Sequence, residues 1–251
     1  MKSRKLLKII AALVAFMLIG IILFVANAFV GNPISAKLAD RAIHKYVERN
    51  YSFIDPVVEE TYYNFKNASY AARVSSSQNI DIHFLVYARN GKVLRDDYDS
   101  YVLGKFNTWQ RLSDEYSALA KALVARELGY INNRTMVMYD KETLENPDLF
   151  ELGMTFDKSL PLSTEVMLRL ELTDSSIEHS AKLLTDAHNM FKKNGCYFTK
   201  YSLYSEAPGV DLMINDVTPE AIESEELLSL LRMAEKGQDA SGIRVFKKGN
   251  N

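Results

Sequence analysis

The first contrast along the chain is between one long apolar run and the alternating patterns that follow it. From Ile9 to Val30 there are 22 residues with Asn27 as the only polar side chain. At about 1.5 Å per residue a helix of that length crosses a hydrocarbon core of roughly 30 Å. From Asn32 the period becomes helical and amphipathic. Asn32 predicts an N-cap with Pro33 at the first helical position, and Ala39, Ala42, Ile43, Tyr46, Val47 and Tyr51 form the apolar stripe. Lys37, Arg41, His44 and Glu48 fill the opposite face, which makes His44 a solvent-facing residue. Beyond Pro56 the period falls to two and predicts strands over 57–65, 70–75, 80–89 and 92–102, separated by turn residues at 66–69, 76–79 and Asn90-Gly91. In the third strand Ile80, Ile82, Phe84, Val86 and Ala88 take the core face, and Asp81, His83 and Arg89 take the wet face. Asn90-Gly91 is a strong hairpin signal, because a two-residue type I′ turn needs positive φ at both positions.

A second helix is predicted to open at Asn107 or Thr108, with Trp109, Leu112, Tyr116, Leu119 and Leu123 on one stripe. Helix, antiparallel meander and helix over residues 31–128 predict an α+β domain of cystatin- or PepSY-like outline, a likeness of shape that carries no function. Residues 129–134 read as a linker. A second α+β domain over 135–247 follows, with alternation at Thr135, Val137 and Tyr139 and again from Val166 to Leu172. A capping box at Ser175-Ser176-Ile177-Glu178 starts a helix that Asn194-Gly195 ends. A hairpin turns at Ala207-Pro208-Gly209, Thr218-Pro219 caps a helix running toward Gly237, and 243–246 forms a last strand. From Val166 onward this is the ferredoxin-like order of elements. Residues 248–251 are a tail.

Several short motifs together carry a resemblance. Gly31-Asn32-Pro33-Ile34-Ser35 directly after an apolar span, Tyr63-Asn64-Phe65-Lys66, Asp81-Ile82-His83-Phe84 and Asn107-Thr108-Trp109-Gln110-Arg111-Leu112 with Tyr116 resemble the YfjL-like proteins of Gram-positive bacteria over roughly residues 1–125. The resemblance implies a membrane-anchored extracytoplasmic protein without an assigned reaction, and it supplies no catalytic residue.

Charge refines the placement of the apolar run. Lys2, Arg4, Lys5 and Lys8 precede it and no acid appears before Asp40. By the positive-inside rule residues 1–8 form a cytoplasmic stub, 9–30 a single-pass signal-anchor in the lipid bilayer of the cell membrane, and 31–251 an extracytoplasmic body in the cell envelope. The alternative is a cleaved signal peptide, since Ala26-Asn27-Ala28 matches the small-x-small pattern and cleavage after Ala28 would free a product beginning at Phe29. The 17 apolar residues before Ala26 exceed the ~7–15 of a signal core, which favours the anchor. Without the four N-terminal cations, 26 basic and 32 acidic residues leave a net charge of −6. Such a body has no electrostatic footprint for nucleic acid. A composition of 47% hydrophobic and 25% charged residues excludes disorder, and one cysteine, Cys196, excludes a disulfide framework.

The search for chemistry yields no catalytic, cofactor-binding or metal residue to name. There is no G-x-S-x-G elbow, the four histidines are scattered at 44, 83, 179 and 188, and His179 and His188 lack the i, i+4 spacing of a zinc pair. His188 shares a stripe with Ile177, Ala181, Leu184 and Phe191 and reads as a partly buried histidine. Asp96, Asp97 and Asp99 are the densest acidic cluster but lack the glycine turn and distal glutamate of a calcium loop, so they read as a solvated strand edge. Cys196 reads as a small apolar residue and Trp109 as a core anchor. Asn67-Ala68-Ser69 and Asn133-Arg134-Thr135 are formal glycosylation sequons. Fourteen tyrosines, many around the strands, can form a recognition face and are also ordinary strand residues. These readings favour a non-enzymatic binding module facing an envelope protein or ligand. The alternatives are an extracytoplasmic ligand sensor and an envelope hydrolase built from His83, His188 and nearby acids.

Overall fold

The computed structural model describes residues 2–207 and 210–249 and is α+β throughout. The tip of the hairpin expected at Ala207-Pro208-Gly209, the first residue of the stub and the last two of the tail lie outside the described residues. The chain divides into two compact units, Met1–Gly104 and Lys105–Asn251.

The first unit opens with α1 (Lys2–Val30), whose apolar side chains from Ile9 to Val30 are exposed on every side. Gly31 and Asn32 break the helix, and α2 (Pro33–Tyr51) begins with the Asn32 side chain accepting from the Ser35 amide at 2.8 Å, as the sequence predicts. Ala39, Ile43 and Val47 are buried against the sheet. That sheet holds β1 (Pro56–Val58), β2 (Tyr62–Asn64), β3 (Ser69–Ser76), β4 (His83–Arg89) and β5 (Lys92–Asp96), all antiparallel. β3 carries β1 and β2 on one side and β4 on the other, with β5 beyond β4. The expected first strand is two, interrupted at Glu59 to Thr61, where the Glu59 amide still reaches the Arg73 carbonyl at 2.9 Å.

Two strand ends differ from the sequence reading. Residues 79–82 form a turn, held by the Asp81 amide on Asn79 Oδ1 at 2.9 Å and the Ile82 amide on the Asn79 carbonyl at 3.1 Å. It reverses the assigned faces there: Asp81 is 1% exposed and Ile80 is 72% exposed. β5 stops at Asp96 instead of reaching Val102, because the Asp96 carboxylate accepts from the Tyr98 amide at 3.0 Å and turns the chain into a π-helical turn over Asp99–Leu103. Asn90 and Gly91 adopt φ of 52° and 71°, as the predicted hairpin requires.

The largest correction concerns the second helix. α3 (Phe106–Glu127) belongs to the second unit, so the expected boundaries at 128 and at the 129–134 linker give way to one at Gly104. Trp109, Leu112, Tyr116, Ala120 and Leu123 are continuous with a core that includes Val137, Tyr139, Val166 and Phe198. Trp109 Nε1 donates to the Tyr139 carbonyl at 3.1 Å. Residues 129–134 are a tight return inside this unit, with Asn133 donating to the Lys121 and Tyr130 carbonyls. The expected caps Asn107 and Thr108 are buried inside α3.

The second sheet runs β10-β9-β8-β7-β6, where β6 is Met136–Tyr139, β7 Thr164–Leu170, β8 Lys200–Ala207, β9 Val210–Val217 and β10 Arg244–Gly249. β7 and β8 are parallel neighbours joined through α4 (Ile177–Lys193), and the other pairs are antiparallel. A ferredoxin-like sheet splits its βαβ unit with an intervening strand; here the parallel strands touch, so the expected element order appears without that strand order. The α4 cap is Ser176, one residue later than the expected box, with its hydroxyl accepting from the His179 amide at 3.2 Å. The expected last helix is two, α5 (Pro219–Glu223) and α6 (Leu227–Glu235). Side chains of α3, α4 and α6 share one core with Val166, Leu168, Leu203, Leu212 and Ile214 of the sheet.

Candidate functional site

Because Phe84, Val86 and Ala88 of β4 are buried on the α2 side, the strand's period of two sends His83, Leu85 and Tyr87 to the other face. Register then selects their neighbours: Ser75 lies opposite His83, Arg73 opposite Leu85, and both Ala71 and Arg95 opposite Tyr87. The Asp97 amide reaches the Leu85 carbonyl at 3.0 Å and carries its carboxylate to the same face. Glu59, Tyr62, Arg73, His83, Phe84, Leu85, Asp97 and Tyr101 line an open cleft of about 410 Å³, with Tyr87 and Arg95 beside Asp97.

The cleft is electrostatically paired yet accessible. Arg73 Nε stands 3.8 Å from Glu59 Oε1, both about half exposed. Tyr87 donates to Asp97 Oδ2 at 2.9 Å, and the Arg95 guanidinium lies 3.9 Å above the Tyr87 ring while pairing with Asp97. Burial, and then the Arg73 charge, push the His83 imidazole below its ordinary value, with Asp81 opposing. Burial and the Asp97 hydrogen bond push the Tyr87 phenol up. Near neutral pH this face therefore presents a neutral His83 imidazole, a neutral Tyr87 phenol and a half-solvated ion pair. Groups of this kind can hydrogen-bond or stack against a bound molecule.

The remaining residues singled out in the sequence are dispersed. Asp96 accepts from Tyr46 at 2.5 Å and Tyr51 at 2.9 Å on the α2 side, whereas Asp97 serves the opposite face. The three carboxylates thus do not converge, and among the described residues no group of three or more His, Cys, Asp or Glu is placed to hold a metal. His44 is exposed, with Nδ1 at 3.0 Å from the Asp40 carbonyl. His188 is buried and links α4 to β8 and α5, with Nδ1 at 2.9 Å from Tyr201 Oη and Nε2 at 3.1 Å from Glu223. Lys192 also holds that carboxylate at 2.6 Å, and these hydrogen bonds lower the Glu223 carboxyl. Cys196 is buried and free, its thiol pushed up by desolvation. Asn133 is only 2% exposed with its amide engaged, so its sequon is closed to a glycosyl donor, while Asn67 is exposed.

Sequence reasoning found His83 and the tyrosine-rich strands but missed Glu59, Arg73, Leu85 and Tyr101 as its neighbours. For Arg73 and Leu85 the available signal is strand parity, which places them on a face without saying which strands adjoin; Glu59 and Tyr101 lie outside the strands.

At the chain's start, α1 is long and apolar enough to cross a membrane. Neither a curated protein nor a solved structure matches the sequence. Two family models do: the YfjL-like N-terminal domain over residues 6–97 and the YfjL-like C-terminal domain over residues 115–232. The resemblance read over the first half thus extends into the second, and the gap between the two matches contains the Gly104 boundary. The chain belongs to the YfjL-like family.

Proposed function

We propose that this is a single-pass, membrane-anchored protein of the cell envelope whose body, residues 31–251, lies outside the cytoplasm and acts as a non-enzymatic binding module. The observation that carries the binding role is the open, aromatic and charge-paired cleft on the uncovered sheet face of the first unit. The anchor is supported by apolar α1 side chains that no other part of the first unit covers, and the orientation by Lys2, Arg4, Lys5 and Lys8 on its short side. Protease added to intact protoplasts should digest the body, and protection would reverse the orientation. For the binding role, a photocrosslinking residue at Tyr101 in intact membranes should capture a discrete partner that Arg73→Glu prevents. Capture unaffected by that substitution would remove the cleft from the reading.

The sensor alternative has one observation in its favour. Tyr70 accepts from the Asn32 amide at 2.9 Å and donates to the Asn32 carbonyl at 3.0 Å, and Tyr63 donates to the Ala28 carbonyl at 3.1 Å. The span and the first unit are thereby joined without slack. Ligand-dependent exchange protection at Asn32 would favour sensing over simple tethering.

A further inference from the structure

The same junction fixes the depth of a neighbouring loop. The 22 residues Ile9 to Val30, apolar but for Asn27, extend about 33 Å as a helix, against a hydrocarbon core of roughly 30 Å. Phe29 and Val30 therefore fall at the level where acyl chains meet headgroups. The turn between β2 and β3, residues 65–68, stands beside them: the Phe65 ring centroid is 6.1 Å from that of Phe29, and Phe65 is 54% exposed. Three hydrogen bonds, two donated by Tyr63 and Tyr70 and one accepted by Tyr70, hold the turn's flanking strands to Ala28 and Asn32. Gly31 permits this approach, since its φ is +72° and an added Cβ would lie 2.6 Å from Tyr70 Oη. Val30, which ends α1, Ile34 and Leu38 of the following helix, and the cations Lys37 and Lys66 are exposed as well.

We propose that this turn is a second membrane contact of the first unit: Phe65 enters the interfacial layer of the bilayer that α1 crosses, and Lys66 meets the lipid phosphates. An aromatic ring at the acyl boundary next to a cation at phosphate level is the arrangement that interfacial anchors use. The proposal rests on the anchor reading. It adds a prediction that the anchor alone does not make, because a tethered unit with a loose junction would keep Phe65 in water.

Phe53 gives an internal comparison. It is the same residue type, 68% exposed, and follows the far end of α2. The unsubstituted full chain is placed in nanodiscs of equal parts phosphatidylglycerol and phosphatidylcholine and footprinted with hydroxyl radicals. Phe65 should be modified several-fold more slowly than Phe53, and Lys66→Glu should bring its rate up toward that of Phe53. Equal rates for the two rings in the unsubstituted chain overturn the contact. A carbonate wash of the source membranes separates the two failures. Release of the protein overturns the anchor and the contact together, whereas retention with equally modified rings overturns the contact alone.

Discussion

The two units solve one layering problem and finish it differently. Each covers one face of a five-stranded sheet with helix, α2 alone in the first unit and α3, α4 and α6 in the second, and leaves side chains of the other face partly open to solvent. On the first sheet that face carries Arg73 paired with Glu59, Asp97 paired with Arg95 and bonded by the buried Tyr87, and the half-buried His83. On the second, register lines up Arg169, Tyr204, Met213 and Phe246 across β7, β8, β9 and β10, with Met136 opposite Met167 in the next row. There the Arg169 guanidinium lies 5.6 Å from the Tyr204 ring, while Met213 and Phe246 remain exposed. Layer architecture therefore does not determine surface chemistry: an alternating strand obliges one face to be apolar and leaves the other free to vary.

The sharpest way to break the comparison is to test which unit owns α3. Trp109→Ala and Phe84→Ala each remove a buried ring, at a cost of about 3–5 kcal/mol. Segment-resolved hydrogen exchange on the full chain should show Phe84→Ala loosening α2 and β3 to β5, and Trp109→Ala loosening α3, β6 and β7. Loss of protection in β3 and β4 from Trp109→Ala would return α3 to the first unit.

Two glycines make the next contrast. Gly31 and Gly195 both have positive φ, at 72° and 68°, so alanine costs about 1–2 kcal/mol at either from conformation. At Gly195 the new Cβ meets only the flexible Lys158 side chain, at 3.4 Å and beyond, whereas at Gly31 it collides with Tyr70 and Tyr63. Gly31→Ala should thus be the more damaging in thermal denaturation, and equal shifts would mean that the tyrosine junction is not closely packed.

Smaller again is Ser117→Ala in the second unit. It strips the acceptor from the Val137 amide, bonded at 2.8 Å, and should cost about 1–3 kcal/mol. Chemical denaturation measures this, and a null result would mean that water replaces the hydroxyl.

The smallest effect is one of pH and concerns the first cleft. A histidine held below its ordinary value of 6.5 takes up its proton more readily when unfolded, so its cost is absent above that value and grows as pH falls through it toward the folded value. Lowering pH from neutrality should therefore slightly destabilise the first unit, and His83→Gln should flatten that portion of the profile. A profile unchanged by the substitution would show that His83 is not desolvated.

What the sequence disclosed follows the range of each signal. The α2 stripe, the Asn32 cap, the Asn90-Gly91 turn and the Phe84, Val86, Ala88 face all depend on residues within one or two turns of each other, and all are present. The α3 stripe announced a buried helix, but an apolar face carries no address, and the sheet it covers follows it in sequence. Parity points Asp81 outward, but a side-chain-capped turn shifts the phase just before β4 begins. The break between α5 and α6 follows from no helix breaker of the glycine or proline kind; Ser224 accepts from the Glu226 amide at 3.3 Å there. The cleft was least legible because it is assembled from separate strands, and only register makes Arg73 a neighbour of Leu85.

The serines of α3 have one more implication, for assembly. β6 ends the second sheet on one side, where an unpaired strand would offer its backbone to any extended chain. Ser117 accepts from the Val137 amide and donates to its carbonyl at 3.1 Å, and Ser113 accepts from the Tyr139 amide at 3.4 Å. The helix thus stands in for a sixth strand along this margin and saturates it from within the molecule. Extension by strand recruitment is left to β10, a strand in which Arg244 and Lys247 are paired with Asp216 and Glu235. Growth of this sheet into a fibril is blocked by occupancy at the β6 margin and has only the β10 margin to start from.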